Sequence, residues 1–452
     1  MAKQHSKRGR TIALSVCAIL TTHFLSACMS SKLSSSKIDQ QTLTATLTSL
    51  ASESNNEIPL PTRDAGTMEY LRFAVAHDPE IAALQQAENA ARSNVQAAKS
   101  KLLPQINATS TVGGYQADIF NGRVKEGAAV GLTLSQLLYD GGLTEGGINT
   151  AQLKLALAKA AIEEAVNRKS AEAANAGLAL ALASREFAAI QKFQDEIKPH
   201  LAQLKLMAKS GLIDRSILDE INGRVIELDL VEEEAKTAMR IAQISFKKYF
   251  NDLTMPTTDF TLPKSLTDEL AKSETLYGTP LANRAALNVL IAEIDLKIAK
   301  SALAPKVNAQ VRSSSPMDPN ENTNAQAGIM LTYQVSDGGS RKANIVSVED
   351  KLKQTRQTAD LTIKNAEQSL ALLKEKRRKL ESWIKLSNKK LSTFLSRLEV
   401  AEKQIQTGQA DIRKVFEIKF KVNEIKGKIL RTRTELSKTH IEIAAALGAF
   451  SN

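Results

Sequence analysis

Four segments of the chain alternate apolar and polar residues one by one, and long stretches between them lack Gly and Pro or repeat their apolar positions at helical spacing. In the segment at about 126–138, Ala128, Val130, Leu132 and Leu134 share one face, and Ala129, Gly131, Thr133 and Ser135 share the other. That period of two predicts a strand. A partner strand is expected at about 105–118. Strands at about 306–315 and 325–335 follow the same pattern later in the chain. There Val307, Ala309 and Val311 alternate with Asn308, Gln310 and Arg312, and Ala327, Ile329, Leu331, Tyr333 and Val335 alternate with Gly328, Met330, Thr332 and Gln334. Pro79 suits the first turn of a helix, Glu80–Leu103 contains neither Gly nor Pro, and Pro104 ends it. From Leu143 to Ser210 there is a single proline, Pro199, and Ser340–Thr407 has no proline or glycine at all. About 65 residues of helix would reach roughly 100 Å. In the second stretch Ala366, Leu370, Leu373, Leu380 and Ile384 keep a coiled-coil spacing that Arg377 interrupts. The first has a run of alanines between Ala171 and Ala183, where backbones can approach closely.

These elements occur twice. Ala98–Ile106 parallels Ala299–Val307, and Pro79 parallels Pro280, both at an offset of 201 residues. Tyr139-Asp140-Gly141-Gly142 parallels Ser336-Asp337-Gly338-Gly339, and Gly211–Asp214 parallels Gly408–Asp411, both at an offset of 197. The order of landmarks predicts two tandem units of helix, β-hairpin, very long helix and returning helix, over 66–250 and 279–450, with residues 251–278 as connector. Asp140, Gly141, Gly142, Asp337, Gly338 and Gly339 are then the turns between strand and long helix.

A sheet with one apolar and one polar face is either half-buried in a soluble domain or part of a membrane barrel. The strands have about the 9–11 residues of a tilted spanning strand. Tyr115 and Phe120 at the hairpin tip, and Tyr139 and Tyr333 at the other ends, would form interfacial girdles. Four strands cannot close a barrel, and open edges are not tolerated in lipid. A barrel therefore needs strands pooled between protomers.

The amino terminus favours the barrel. Lys3, Lys7, Arg8 and Arg10 precede the largely apolar Thr11–Leu25, and Leu25-Ser26-Ala27-Cys28 follows. This is the layout of a secretory signal, and its end resembles the lipobox of bacterial lipoproteins, cut before a cysteine that is lipidated. Residues 1–27 are the expected signal peptide, Cys28 the lipidation site and residues 28–65 a flexible tether. Met29 in place of aspartate favours sorting to the outer membrane. Cys17 and Cys28 are the two cysteines of the chain, so the mature protein keeps one, already committed to lipid.

Composition narrows the function further. The mature chain of 425 residues has a formal charge of +7, and aromatics make up 4% of the sequence. The positive charge is dispersed, with no basic stripe interleaved with aromatics, so no nucleic-acid partner is expected. His77, His200 and His440 are isolated, without the spacing of metal ligands. The Gly-Gly pairs have no phosphate-loop context. No catalytic residue, metal or cofactor is expected.

Asp78-Pro79-Glu80, Leu103-Pro104, Gln136–Gly142, their second-half partners and Gly408–Glu417 together resemble the TolC family of outer membrane efflux proteins, over about Gly66–Phe450. The resemblance implies a mainly α fold with a membrane β-barrel. It implies a homotrimer that forms one 12-stranded barrel and a periplasmic α-helical tunnel. It implies partners too: a periplasmic adaptor (membrane fusion protein) and an inner-membrane pump or ABC transporter. Family members close the tunnel near the helical turns, here about Ala208–Glu220 and Ile405–Glu417. Glu417 matches a ring carboxylate of the family, whereas Lys414 stands where another would be. The gate candidates are Asp214, Arg215, Asp411, Arg413, Lys414 and Glu417, and for both aspartates helix capping is an equal reading. Two functions stay open. One is a passive exit duct for type I secretion or efflux; the other is a structural periplasmic coiled-coil lipoprotein without a channel.

Overall fold

The computed structural model describes residues 61–62, 66–116, 124–253, 260–272, 276–316, 323–406 and 412–451. The signal peptide, Cys28, Phe120, Gly408 and Asp411 lie outside them. Twelve elements follow in chain order: α1 (Thr67–Ala76), α2 (Pro79–Ser100), β1 (Gln105–Gln116), β2 (Val124–Tyr139), α3 (Leu143–Lys209), α4 (Arg215–Phe250), α5 (Lys264–Lys272), α6 (Pro280–Ser301), β3 (Lys306–Pro316), β4 (Asn324–Thr332), α7 (Ser340–Gln406) and α8 (Ile412–Ala446). The long helices α3 and α7 have 67 residues each, and α2 and α6 have 22 each. Both shorter helices start on proline. Asp78 caps α2 by accepting from the Glu80 amide at 2.8 Å, and Thr279 caps α6 by accepting from the Ala282 amide at 3.3 Å.

The four strands form one antiparallel sheet in the order β1-β2-β3-β4. Residues directly opposite each other in such a sheet share a face. The register therefore groups Ile106, Ala108, Val112, Val130, Leu132, Leu134, Val311, Ile329 and Leu331 on one face. Asn107, Thr109, Thr133, Ser135, Asn308, Gln310, Arg312 and Gln326 lie on the other. Each strand continues the alternation of its neighbour, so one face is mainly apolar across the sheet, with Ser110, Gln136, Ser313 and Ser315 interspersed. β4 is shorter than its sequence pattern predicts. It ends at Thr332, and Tyr333 and Val335 fall in an extended segment past the last ladder pair, Lys306–Thr332.

Along the helical body α4 packs on α3, α3 on α8, and α8 on α7, with α2 against α3 and α6 against α3 and α7. The central core lies where α1 and the connector cross these helices. Tyr70 of α1, Phe246 and Phe250 of α4, Phe260, Leu262, Leu270 and Leu276 of the connector, Leu370 of α7 and Ile441 of α8 are buried together. The alanine run of α3 serves this junction, with Ala173 and Ala174 fully buried. A Cβ on Gly177 would lie 2.4 Å from the Phe260 ring, so the absence of a side chain there is what admits the aromatic. The described connector thus contains a helix and contributes four buried side chains. The opening helix α1, ahead of Pro79, is also an addition to the pattern read from the sequence. No helix among the described residues is long and apolar enough to cross a membrane.

Candidate channel surfaces: the sheet and the helical tip

The sheet presents its apolar residues outward. Ile106 is 74% exposed, Ile329 72% and Leu331 64%, and Leu132, Leu134 and Val311 are exposed beside them. Burying an aliphatic side chain is worth about 1.5–3 kcal/mol in water, so a contiguous row left open marks a surface that another phase or partner covers. Among the described residues, the outer edges of β1 and β4 have no neighbouring strand.

Two corners carry the chain from sheet to long helix, and both are built by an aspartate and two left-handed glycines. Asp140 accepts from the amides of Gly142 at 3.1 Å and Thr144 at 2.8 Å, and from the Thr144 hydroxyl at 2.5 Å. Asp337 accepts from the amides of Gly339 at 3.1 Å and Arg341 at 2.9 Å. The Arg341 guanidinium reaches the same carboxylate at 2.8 Å and also donates to the carbonyls of Gln334 and Ala302. That contact, with the backbone amides, holds the Asp337 carboxyl below the usual carboxylate range. Gly141, Gly142, Gly338 and Gly339 have φ of 69°, 90°, 66° and 90°, a region in which glycine is unstrained. The corners differ in packing: a Cβ on Gly141 would come within 2.3 Å of the Ala304 Cβ, while nothing lies within 4 Å of one on Gly338.

At the opposite end α3 stops at a Schellman turn. The Leu212 amide donates to the Met207 carbonyl at 2.9 Å and the Gly211 amide to Ala208 at 3.3 Å, with Gly211 at φ 72°. Asp214 then caps α4, its side chain accepting from the Ser216 amide at 2.7 Å. This bond lowers the Asp214 pKa; Asp411 lies outside the described residues. Arg215 is exposed on the first turn of α4, and Lys414 is exposed on α8.

Arg413 joins the two helix pairs. It meets Glu220 of α4 at 2.7 Å and Glu417 of its own helix at 3.8 Å, and Arg224 approaches Glu220 at 3.6 Å. Beneath these charges Phe193, Ile197, Leu204, Ile221, Ile412 and Phe416 form a core shared by α3, α4 and α8. Lys419 pairs with Glu402 of α7 at 2.6 Å. The sequence reading named Arg413 and Glu417 but not Glu220, Arg224, Lys419 or Glu402. Glu220 and Arg413 are 193 residues apart, and spacing along a chain does not reveal contacts between separate helices. Among the described residues no group of His, Cys, Asp and Glu is arranged to hold a metal ion.

Comparison with known proteins gives a partial family match and a shared fold. Residues 71–246 match the model of the outer membrane efflux protein family. No curated protein matches the chain by sequence. Among solved structures, the outer membrane protein VceC of Vibrio cholerae superposes with a TM-score of 0.74 at 13% identity, covering 84% of this chain and 96% of that one. The CmeC outer membrane channel of Campylobacter jejuni gives 0.70 at 13% identity, covering 88% and 89%. The MtrE outer membrane channel of Neisseria gonorrhoeae, in its open state, gives 0.67 at 15% identity, covering 88% and 94%. The mainly helical fold with a small sheet is the one these proteins share.

Proposed function

We propose that this chain, whose residues 71–246 match the model of the outer membrane efflux protein family, is the outer-membrane exit duct of a tripartite export system. The observation that carries the reading is the sheet: four strands, two open edges and an exposed apolar face. In lipid every backbone group must be bonded internally, so an open sheet cannot stand there alone. Three copies joined edge to edge give one twelve-stranded barrel, with the apolar face toward lipid and the polar face toward water. The two halves of the chain, read as a duplicated unit, each supply one hairpin to that barrel and one long helix pair to a periplasmic tunnel.

The free edges of the helical body support the same assembly. α4 carries an outward stripe of Ile226, Leu230, Ile241 and Ile244, and α7 one of Leu361, Leu372, Trp383 and Leu386, all exposed. Both repeat after eleven residues, three turns of helix. α7 holds 16 Lys and Arg against 8 Asp and Glu, and α4 holds 6 against 7. Packing α7 of one protomer on α4 of the next buries both stripes and brings opposite charge balances together. The interface is head to tail and closes after three copies.

In this reading the signal peptide directs export, Cys28 carries the lipid, and the barrel adds the anchorage of a closed ring of membrane strands. The helical tip is the gate. Arg413 and Glu220 hold its two hairpins together, with Glu417, Lys414 and Arg215 at the exposed rim and Asp214 capping α4; Asp411 is the matching acid of the second repeat. The tunnel meets a periplasmic adaptor, and an inner-membrane pump or ABC transporter supplies the energy, for efflux or for type I secretion. Light scattering of the detergent-extracted protein tests the assembly. A mass of three chains is expected, and a folded monomer at micromolar concentration would contradict the pooled barrel.

A further inference from the structure

Charge is scarce in the sheet and has one sign on its polar face. Apart from Lys125 and Glu126 at the hairpin end of β2, the charged residues of the four described strands are Lys306 and Arg312, both basic. The register puts Lys306 opposite Thr332, and Arg312 opposite Thr133 of β2 and Gln326 of β4. Both therefore belong to the polar face. Their neighbours there are Asn107, Thr109, Ser135, Asn308, Gln310 and Ser314, which are uncharged, and Arg312 is exposed. The helical body differs: charges of both signs meet there, as in Arg284–Glu164 at 2.7 Å and Arg356–Glu293 at 2.7 Å.

Arg312 also sits at a particular height. Six residues separate it from Lys306 at the base of β3, roughly 20 Å along a strand at about 3.3 Å per residue. With a strand tilt of about 35–45° this brings it near the middle of an apolar band about 25 Å tall. In a closed barrel the low-dielectric wall would confine its field to the lumen. Rings of basic side chains favour anions in pores.

We propose that the barrel lumen carries a cationic filter, with Arg312 from each of three protomers at mid-height and Lys306 at the base, and that the duct favours anionic cargo. The inference rests on the trimeric duct reading and assigns its cargo a chemical class. An anion entering from the barrel side meets Arg312 before it meets the tip, so the filter can be probed separately from the gate. The attraction is strongest in dilute salt, because the screening length is about 30 Å at 0.01 M and about 8 Å at physiological ionic strength.

The test is single-channel recording of the purified protein in a planar bilayer, with tripolyphosphate added on the barrel side in dilute KCl. Wild-type channels should be blocked in a voltage-dependent way. Arg312→Gln should weaken the block at least tenfold, and Arg312→Lys should keep most of it. Conducting channels in which wild type and Arg312→Gln are blocked equally, or in which tripolyphosphate does not block wild type, would overturn the filter and leave the duct standing. Folded trimers that conduct nothing would overturn the duct and the filter with it.

Discussion

The sheet and the central helical junction dispose the same residue types in opposite ways. At the junction Tyr70, Phe250 and Phe260 are at most 1% exposed, with ring centroids 5.5–6.0 Å apart. In the sheet Ile106 and Ile329 stand almost fully open and the polar residues face the other way. Both arrangements follow one rule, that apolar side chains leave water. The difference lies in where water is. The junction has water outside, so its aromatics turn inward, while the sheet's outward face is suited to a phase that is not water. A chain made of both expects two solvents along its length, and a soluble coiled-coil spacer has no use for the second.

Removing the aromatic that closes the junction should have the largest effect. Phe260→Ala leaves a hole over Gly177 and takes one ring from the cluster. A loss of about 3–5 kcal/mol is expected, read as a lowered thermal midpoint of the helical signal in detergent. The positive φ at Phe260, 42°, stays strained in the variant, because alanine keeps the Cβ that disfavours a left-handed backbone.

The sheet gives a two-sided test of smaller size. An arginine at Ile329, on the apolar face, should destabilise the lipid-inserted protein by about 2–4 kcal/mol. An arginine at Gln310, on the polar face of adjacent β3, should change stability little. Urea unfolding from bilayers measures both, and equal effects at the two positions would remove the distinction between lipid and lumen faces.

Much of this was legible in the sequence, and the rest fails for identifiable reasons. Proline at positions 79 and 280 marked the starts of α2 and α6, and the Asp-Gly-Gly runs marked both corners, because a proline and a left-handed glycine fix the backbone by themselves. Alternation on β2 and β4 located the apolar face. It overran the end of β4 at Tyr333 and Val335, since alternation continues wherever side chains do, whether or not a partner strand is present. Phe260 and α5 were hidden in an unrepeated connector, where the deciding feature is a gap at Gly177, more than 80 residues away. The clamp at Asn167 was hidden likewise. Its side chain donates to the Ala445 carbonyl and accepts from the Phe450 amide at 3.2 Å, tying the carboxy-terminal end to α3. At the tip Asp214 announced its cap through sequence alone, but Glu220 became visible only once α4 and α8 lay side by side.

The smallest effect concerns pH, and it belongs to the junction and not to the sheet. His440 of α8 is partly buried there, and burial, with Arg377 as a nearby positive charge, lowers its pKa, while Glu381 and Asp268 oppose this weakly. A lowered histidine pKa means that the folded protein binds the proton less readily than the unfolded chain. The stabilisation is therefore present above the ordinary histidine value of 6.5 and is lost as pH falls below it. The helical unfolding midpoint should drop between pH 7.5 and 5.5, and His440→Gln should flatten that dependence.

The central claim is that the exposed apolar face belongs in lipid and that its polar reverse encloses a water-filled path. Conductance of a planar bilayer to which the purified, folded protein has been added tests it most directly. Discrete current steps of uniform size are predicted. Folded protein that inserts and yields no steps would contradict it.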